Sequence, residues 1–328
     1  MSLFASVFWL VASLALILTG ANILTDGASA IAKRIGISDL IIGLTVVAFG
    51  TSTPELVISI VAAADGNSSI AVGNIVGSNI LNILLIIGLT ALIKPIKIKK
   101  SIMTNEIPMV ILSSAILLIL GYSADLDRLA TATITRVDGL FLLIFFLLFM
   151  RYTFASASHR PATPEHDPAE ADGQRLSHIS VLKSVVFVVA GLAALIWGGD
   201  KFVDGASALA RHIGISEAMI SLTIVAIGTS LPELAASVVA AMKNRPGLAI
   251  GNVIGSNIFN ILLVLGSAAT VAPLPFDGVT LADLWTLVGS SMLFLVCGWV
   301  FDRRTITRPE GALMLVCYGG YMVWLICH

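Results

Sequence analysis

Six residues, Gly50-Thr51-Ser52-Thr53-Pro54-Glu55, sit in the middle of one apolar stretch, and nearly the same six, Gly228-Thr229-Ser230-Leu231-Pro232-Glu233, sit in the middle of another. A carboxylate at the centre of a hydrocarbon-spanning helix costs at least about 2.5 kcal/mol, so it faces a cavity, a partner or a bound cation. No Lys or Arg lies near either glutamate in its span. Two matched glutamates therefore suggest one shared cation site. Thr51, Glu55 and Ser59 follow at every fourth residue and share a helix face, with Ser52 beside them. Pro54 lacks an amide hydrogen and clashes with the carbonyl four residues back, which frees the carbonyl of Gly50. Non-helical backbone at that depth persists only where it lines a cavity or binds something.

The next apolar stretch adds a second polar stripe, Asn74, Ser78 and Asn82, with Gly73 and Gly77 as a small pair that permits close helix approach. The second half repeats both stripes, with Thr229, Ser230, Glu233 and Ser237 on one span and Asn252, Ser256 and Asn260 on the next. Taken singly, Ser, Thr and Asn in a membrane helix serve equally as interhelical hydrogen bonders, and a proline can be a mere kink. Together they form an all-oxygen donor set. Calcium takes six to eight oxygens at about 2.3 to 2.6 Å, which two bidentate glutamates, freed carbonyls and a hydroxyl or water would supply. Sodium accepts the same oxygens in smaller groups. With no thiolate or imidazole near either glutamate, soft metals are poor candidates.

The elements that must position these residues are membrane helices. Of 328 residues, 57% are hydrophobic and 12% charged, against about 25% charged in an average soluble chain. Apolar runs of spanning length fall at 3–21, 38–63, 70–93, 104–122, 136–152, 180–199, 216–241, 248–272, 281–300 and 311–327. The first run has no Lys or Arg before it and no small-residue cleavage site after it, so it reads as a retained helix. Taking alternate connections, one side carries Lys33, Arg34, Lys94, Lys97, Lys99, Lys100, Arg151, Arg160, Arg175, Lys183, Lys243, Arg245, Arg303, Arg304 and Arg308. The other carries only Arg128, Arg136, Lys201 and Arg211. The positive-inside rule makes the first side cytoplasmic and leaves both chain ends outside. The net charge of −1 includes no basic patch suited to nucleic acid. Cys297, Cys317 and Cys327 have no ligand-like spacing and read as small packing residues.

Ile35-Gly36-Ile37-Ser38, with Ser38 as a helix cap, returns as Ile213-Gly214-Ile215-Ser216, a constant offset of 178. At that offset more than half the positions from 35 to 88 are identical, and Gly20 matches Gly198, Asp26 matches Asp204 and Pro95 matches Pro273. Asp26 and Asp204 read as solvated or capping groups near helix ends. The organisation is a first five-helix half at 1–153 (motif 35–93), a cytoplasmic linker at 154–178 rich in Pro and mixed charge, and a second half at 179–328 (motif 213–271). An odd number of spans per half inserts the second copy from the opposite side. The expected fold is an all-α polytopic membrane protein of ten transmembrane helices in two inverted five-helix repeats, with the site near the midplane.

The blocks Gly50 to Glu55 with Gly73 to Asn82, and Gly228 to Glu233 with Gly251 to Asn260, resemble the paired alpha-repeats of the calcium/cation antiporter superfamily, most closely its prokaryotic sodium/calcium exchangers. The resemblance covers both halves. It implies a calcium site built by Glu55, Glu233 and the backbone carbonyls of Thr51 and Thr229, and sodium sites that draw on Ala48, Ser52, Ser78, Ala226, Ser230 and Ser256. Some relatives carry aspartate where Asn82 or Asn260 stands, so a third carboxylate is absent here. That argues against a potassium-cotransporting subtype.

The expected function is calcium/sodium exchange by alternating access at a two-glutamate site. Calcium and sodium are the transported partners, the lipid bilayer is the medium, no cofactor is needed, and the location is an inner or cell membrane. Two ionised glutamates balance one calcium or two sodium ions, so the cations compete, and the first and sixth spans are the expected moving element. Calcium/proton exchange at the same glutamates is the alternative. A passive channel is a further rival, and an intramembrane enzyme is disfavoured because His159, His166, His178, His212 and His328 all fall in loops or at ends.

Overall fold

The computed structural model describes residues 3–127, 131–159, 180–212, 226–300 and 304–327. In chain order the helices are α1 (Leu3–Ile35), α2 (Asp39–Thr51), α3 (Thr53–Ala64), α4 (Ser68–Ile93), α5 (Ile102–Gly121), α6 (Ser123–Asp127), α7 (Arg136–His159), α8 (Val181–His212), α9 (Ala226–Thr229), α10 (Leu231–Met242), α11 (Pro246–Val271), α12 (Leu281–Val300) and α13 (Arg308–Cys327). Two-residue strands β1 (Ile96–Lys97), β2 (Thr133–Ile134), β3 (Leu274–Pro275) and β4 (Thr305–Ile306) lie between them, a small departure from an all-helical expectation. Eight of the described helices are long and apolar enough to cross a membrane, and α2 with α3 makes a ninth when that broken pair counts as one span. The expected run at 216–241 lies partly outside the described residues.

The first and sixth spans are longer than the apolar runs at 3–21 and 180–199. Helix α1 passes through Ala21 without a break and continues to Ile35, and α8 continues to His212. Hydropathy falls at Asn22 and Asp26, but nothing there breaks a helix, and the alanines that follow favour one. The stop comes at Gly36, whose φ of 71° only glycine adopts cheaply. There the Ile37 amide donates to the Ala32 carbonyl at 3.0 Å, closing the helix end. Asp26 and Asp204 are consequently inside helices and not at their ends, which corrects the capping expectation. Helix α7 likewise runs on to His159, into the stretch read as linker, and residues 160–178 lie outside the described ones.

Contacts divide the chain into two compact units, each drawn from both halves of the sequence. The first comprises the chain up to Thr51 and Ala157–Asn252. In it α1 and α8 pack antiparallel along their lengths. Gly27 meets Ser184 and Val188, Gly20 meets Gly191 and Leu195, Gly198 meets Ser13 and Ile17, and Gly205 meets Ser6 and Leu10. At each glycine an added Cβ would lie no more than 3.1 Å from an atom of the partner helix. Shifting by the repeat offset converts every one of these contacts into another of the same set, as a two-fold relation requires. Gly43 and Gly251 make a second close crossing, between α2 and α11, and the core beneath includes Ile17, Leu24, Ile42, Val188 and Leu195.

The second unit comprises Ser52–Ser156 and Val253–His328. Its contacts are also paired, with one member of each pair shifted by 178 residues and the other by 172. Gly88 of α4 packs on Gly311 of α13, and its repeat mate Gly266 of α11 packs on Gly139 of α7. Strand β1 pairs antiparallel with β4, Ile96 opposite Ile306, while β2 pairs with β3, Ile134 opposite Leu274. Helices α5 and α12 meet where the Oγ atoms of Ser114 and Ser291 lie 3.2 Å apart.

A close approach of the kind expected of Gly73 and Gly77 is seen at Gly251, the repeat mate of Gly73, whereas the residues that would mirror that contact at Gly73 lie outside the described ones. Among the described residues nothing lies within 4 Å of a Cβ at Gly77, and at Gly73 such an atom meets only Val279, at 3.9 Å. At Gly251 it would lie 2.5 Å from the Leu40 carbonyl and 3.0 Å from the Leu44 amide, backbone atoms that yield only if a helix moves. Gly251→Ala is therefore expected to destabilise by about 1 to 3 kcal/mol, and Gly77→Ala to stay within about 1 kcal/mol of the parent. Thermal unfolding in detergent, followed by size-exclusion, checks this, and equal shifts for the two variants would refute the packing assignment.

Candidate functional site

Both motif helices are interrupted at the same place. Helix α2 ends at Thr51 and α3 begins at Thr53, with Ser52 between them at φ −82°, ψ 6°. Helix α9 ends at Thr229 and α10 begins at Leu231, with Ser230 at φ −93°, ψ 7°. Each proline lies in the first turn of the new helix, where its missing N–H is no loss. Pro54 and Pro232 thus begin helices and do not kink continuous ones. Each glutamate also falls in a first turn, where the positive end of the helix favours a carboxylate. The last carbonyls of α2, and those of α9 ahead of Ser230, come at helix C-termini, where backbone oxygens lack intrahelical donors. The Ser52 and Ser230 carbonyls already accept from Leu56 and Leu234 at 3.1 and 3.0 Å.

The first unit holds Ala48, Thr51, Thr229, Ser230 and Glu233, together with the backbone of Ala226, whose side chain lies outside the described ones. Glu233 is 1% exposed and Thr51 is fully buried. Asn252 brings the two repeats together here. Its Oδ1 is 3.1 Å from the Thr51 hydroxyl, and its Nδ2 donates to the Glu233 carbonyl at 3.2 Å and to the Ser237 hydroxyl at 3.0 Å. One amide thereby ties the end of α2 to the first turns of α10.

The second unit holds Ser52, Glu55, Ser78, Asn82, Ser256 and Asn260, all buried. Asn74 donates to Ser59 at 3.4 Å, the repeat mate of the Asn252 to Ser237 bond. Asn79 donates to the Asn257 carbonyl at 3.2 Å, and Asn260 donates to Asn79 Oδ1 at 3.0 Å. Among the described residues, both polar side-chain atoms of Asn82, Oγ of Ser256 and Oδ1 of Asn257 and Asn260 are buried without a hydrogen-bond partner. Buried oxygens in that condition suit a cation, which restores what desolvation removes. No three His, Cys, Asp or Glu side chains cluster among the described residues.

Sequence reasoning passed over Asn79 and Asn257, which lie one position off the Asn74, Ser78 and Asn82 stripe. Their signal was their occurrence at matched positions in both halves. It also missed wide π-type turns at Asn82–Ile87 and Asn260–Leu265, which begin on the two expected asparagines. Such turns cluster at functional sites but carry no local sequence mark.

Charge is concentrated at one edge of the first unit. The turn between α10 and α11 ion-pairs Lys243 with Asp26 of α1 at 2.8 Å and Arg245 with Asp39 of α2 at 3.2 Å. Ser38 caps α2 as expected, its Oγ 3.4 Å from the Ile41 amide. The α1–α2 and α10–α11 connections that meet there both belong to the strongly basic set of loops. Asp204, the mate of Asp26, pairs instead with Lys201 of its own helix at 2.8 Å.

The model of the sodium/calcium exchanger protein family matches residues 5–155 and 183–327. CaxA of Alkalimonas amylolytica is 40% identical over 327 residues, 98% of this chain and 99% of that protein. The inner membrane protein YrbG of Escherichia coli is 34% identical, across 96% of this chain and 94% of its own. A solved structure of the sodium-calcium exchanger NCX_Mj superposes with a TM-score of 0.82 at 32% identity, covering 98% of this chain and 99% of that one. With buried glutamates at duplicated helix breaks inside a set of membrane-length helices, this chain belongs to the prokaryotic sodium/calcium exchanger family of the calcium/cation antiporter superfamily.

Proposed function

We propose that this protein exchanges calcium for sodium by alternating access at a central site to which Glu55, Glu233 and the backbone carbonyls of Thr51 and Thr229 contribute. Ala48, Ser52, Ser78, Asn82, Ala226, Ser230, Ser256 and Asn260 supply further oxygens for sodium. The observation that carries this reading is the duplicated helix break, which sets a buried carboxylate in a first helical turn directly after a helix end rich in carbonyl acceptors. Half-helix ends of this kind are where transporters coordinate cations. The two carboxylates balance either one calcium or two sodium ions, so the cations exclude each other, and only the neutralised site closes over its occupant.

The scaffold in this reading is two inverted five-helix halves, 1–153 and 179–328, joined by a cytoplasmic linker at 154–178, with ten spans and both ends outside. Support comes from the paired glycine contacts of α1 and α8, because antiparallel helices related by a two-fold have their axis across the helix direction. The ion pairs of Lys243 and Arg245 with Asp26 and Asp39 support placing those connections on one side. Displacement of α1 and α8 as one packed pair is the proposed movement, and the close glycine contacts between them suit a pair that moves together.

Glu55→Gln and Glu233→Gln are each expected to reduce sodium-driven calcium uptake by roughly two to three orders of magnitude, as for removing one partner of a buried charge contact. Uptake in proteoliposomes matched for inserted protein measures it, and an unaltered rate in either variant removes that glutamate from the mechanism. With the pH gradient clamped, dissipating the sodium gradient is expected to stop calcium transport. Transport that continues unchanged under that clamp would mean protons and not sodium carry the coupling.

A further inference from the structure

Three asparagines on α4 and α11 form an ordered chain within the second unit. Nδ2 of Asn79 donates to the backbone carbonyl of Asn257, and Nδ2 of Asn260 donates to Oδ1 of Asn79. A backbone carbonyl only accepts, so the Asn79 atom facing it is the nitrogen. The Asn79 oxygen then faces Asn260, and the Asn260 atom at that contact has to be its nitrogen as well. A fixed backbone group therefore dictates, one step at a time, which way the Asn260 amide is turned. Its Oδ1 is left on the far side, buried and without a hydrogen-bond partner among the described residues.

The first repeat does not copy this arrangement. At the 178-residue offset Asn82 stands where Asn260 does, and Asn257 stands where Asn79 does. A faithful copy would have Asn82 donating to Asn257 Oδ1. Asn257 instead donates to the Val253 carbonyl of its own helix at 2.8 Å, its Oδ1 is unpartnered, and so are both polar atoms of Asn82. One asparagine of the matched pair is held by a hydrogen bond, and the other, equally buried, has none among the described residues.

We propose that Asn79 is a positioning residue for cation transport: it locks the Asn260 amide so that oxygen, and not the NH2 group, is presented to the transported ion. Amide oxygens ligate calcium and sodium, whereas a reversed amide sets two partially positive hydrogens against the cation. Asn82 has no such bond to fix which of its amide atoms is presented. A two-fold scaffold in this way acquires two unlike amide ligands from identical residues. The inference rests on the exchange reading above, in which Asn260 faces the ion.

The rival role for Asn79 is to glue α4 to α11, and a double-mutant cycle separates the two. Asn79→Leu, Asn79→Ser, Asn260→Ala and Asn79→Leu with Asn260→Ala are compared with the parent in proteoliposomes, reading both the sodium and calcium concentrations for half-maximal exchange and the maximal rate. Asn79→Leu is expected to raise the half-saturating concentration of at least one cation about 3- to 10-fold, the size of one lost hydrogen bond, with a maximal rate within about twofold of the parent. The double variant is expected to match Asn260→Ala alone, because Asn79 has nothing left to orient. Multiplying effects, an unchanged half-saturation in Asn79→Leu, or loss of inserted protein in both Asn79 variants would overturn the proposal. Absence of sodium-dependent calcium flux in the parent protein would instead sink the exchange reading itself.

Discussion

An ionised oxygen carried into hydrocarbon has lost its water, and whatever surrounds it must make good the loss. Much else in this molecule follows from that constraint. A continuous helix has no backbone dipole to spare in its middle, because each carbonyl and amide is already paired. By stopping at Thr51 and restarting at Thr53, the chain creates a helix start next to a helix end, so that Glu55 falls in a first turn at the positive end of a helix. Ser230 does the same for Glu233. Proline makes this cheap, since in a first turn its lack of an amide hydrogen costs nothing.

Such breaks weaken the helices that carry them, and the rest of the fold supplies compensation. Asn252 joins the end of α2 to the start of α10 through three hydrogen-bond contacts, so a break in one repeat is held by the other. Close crossings at Gly43 with Gly251 and along α1 with α8 bring backbones together where lipid offers no hydrophobic drive and packing has to serve instead. In the second unit the same economy appears in mated pairs: Gly88 on Gly311 answers Gly266 on Gly139, and β1 with β4 answers β2 with β3. Each contact surface has to work twice, which explains why small residues recur at matched positions.

Symmetry of the scaffold is not carried into its charges. Lys243 and Arg245 hold Asp26 and Asp39 at one edge of the first unit. The positions that match those two cations in the first half are Asp65 and Asn67, and Asp204 turns to a lysine one helical turn away. Even the turn between the motif helices is built from unlike residues, with Gly66 and Asn244 adopting the same left-handed conformation at φ 75° and 58°.

Read from residues alone, the duplicated Glu in an apolar span, the 178-residue offset and the period-four stripes were enough to point to the exchanger family and to most of the helices, because membrane solvation penalises polar groups so heavily that each one is informative. Other features depended on packing. Hydropathy ended α1 at residue 21 although the helix runs to Ile35, since polarity marks the edge of an apolar run and not the end of a helix. Gly251 sits against the backbone of α2 at Leu40 and Leu44, a contact set by what the rest of the chain brings near and not by the glycine's neighbours in sequence. The orientation of the Asn260 amide likewise has no local cause. It comes from a carbonyl on α11 relayed through a side chain on α4, and only a folded chain puts those groups within hydrogen-bonding distance.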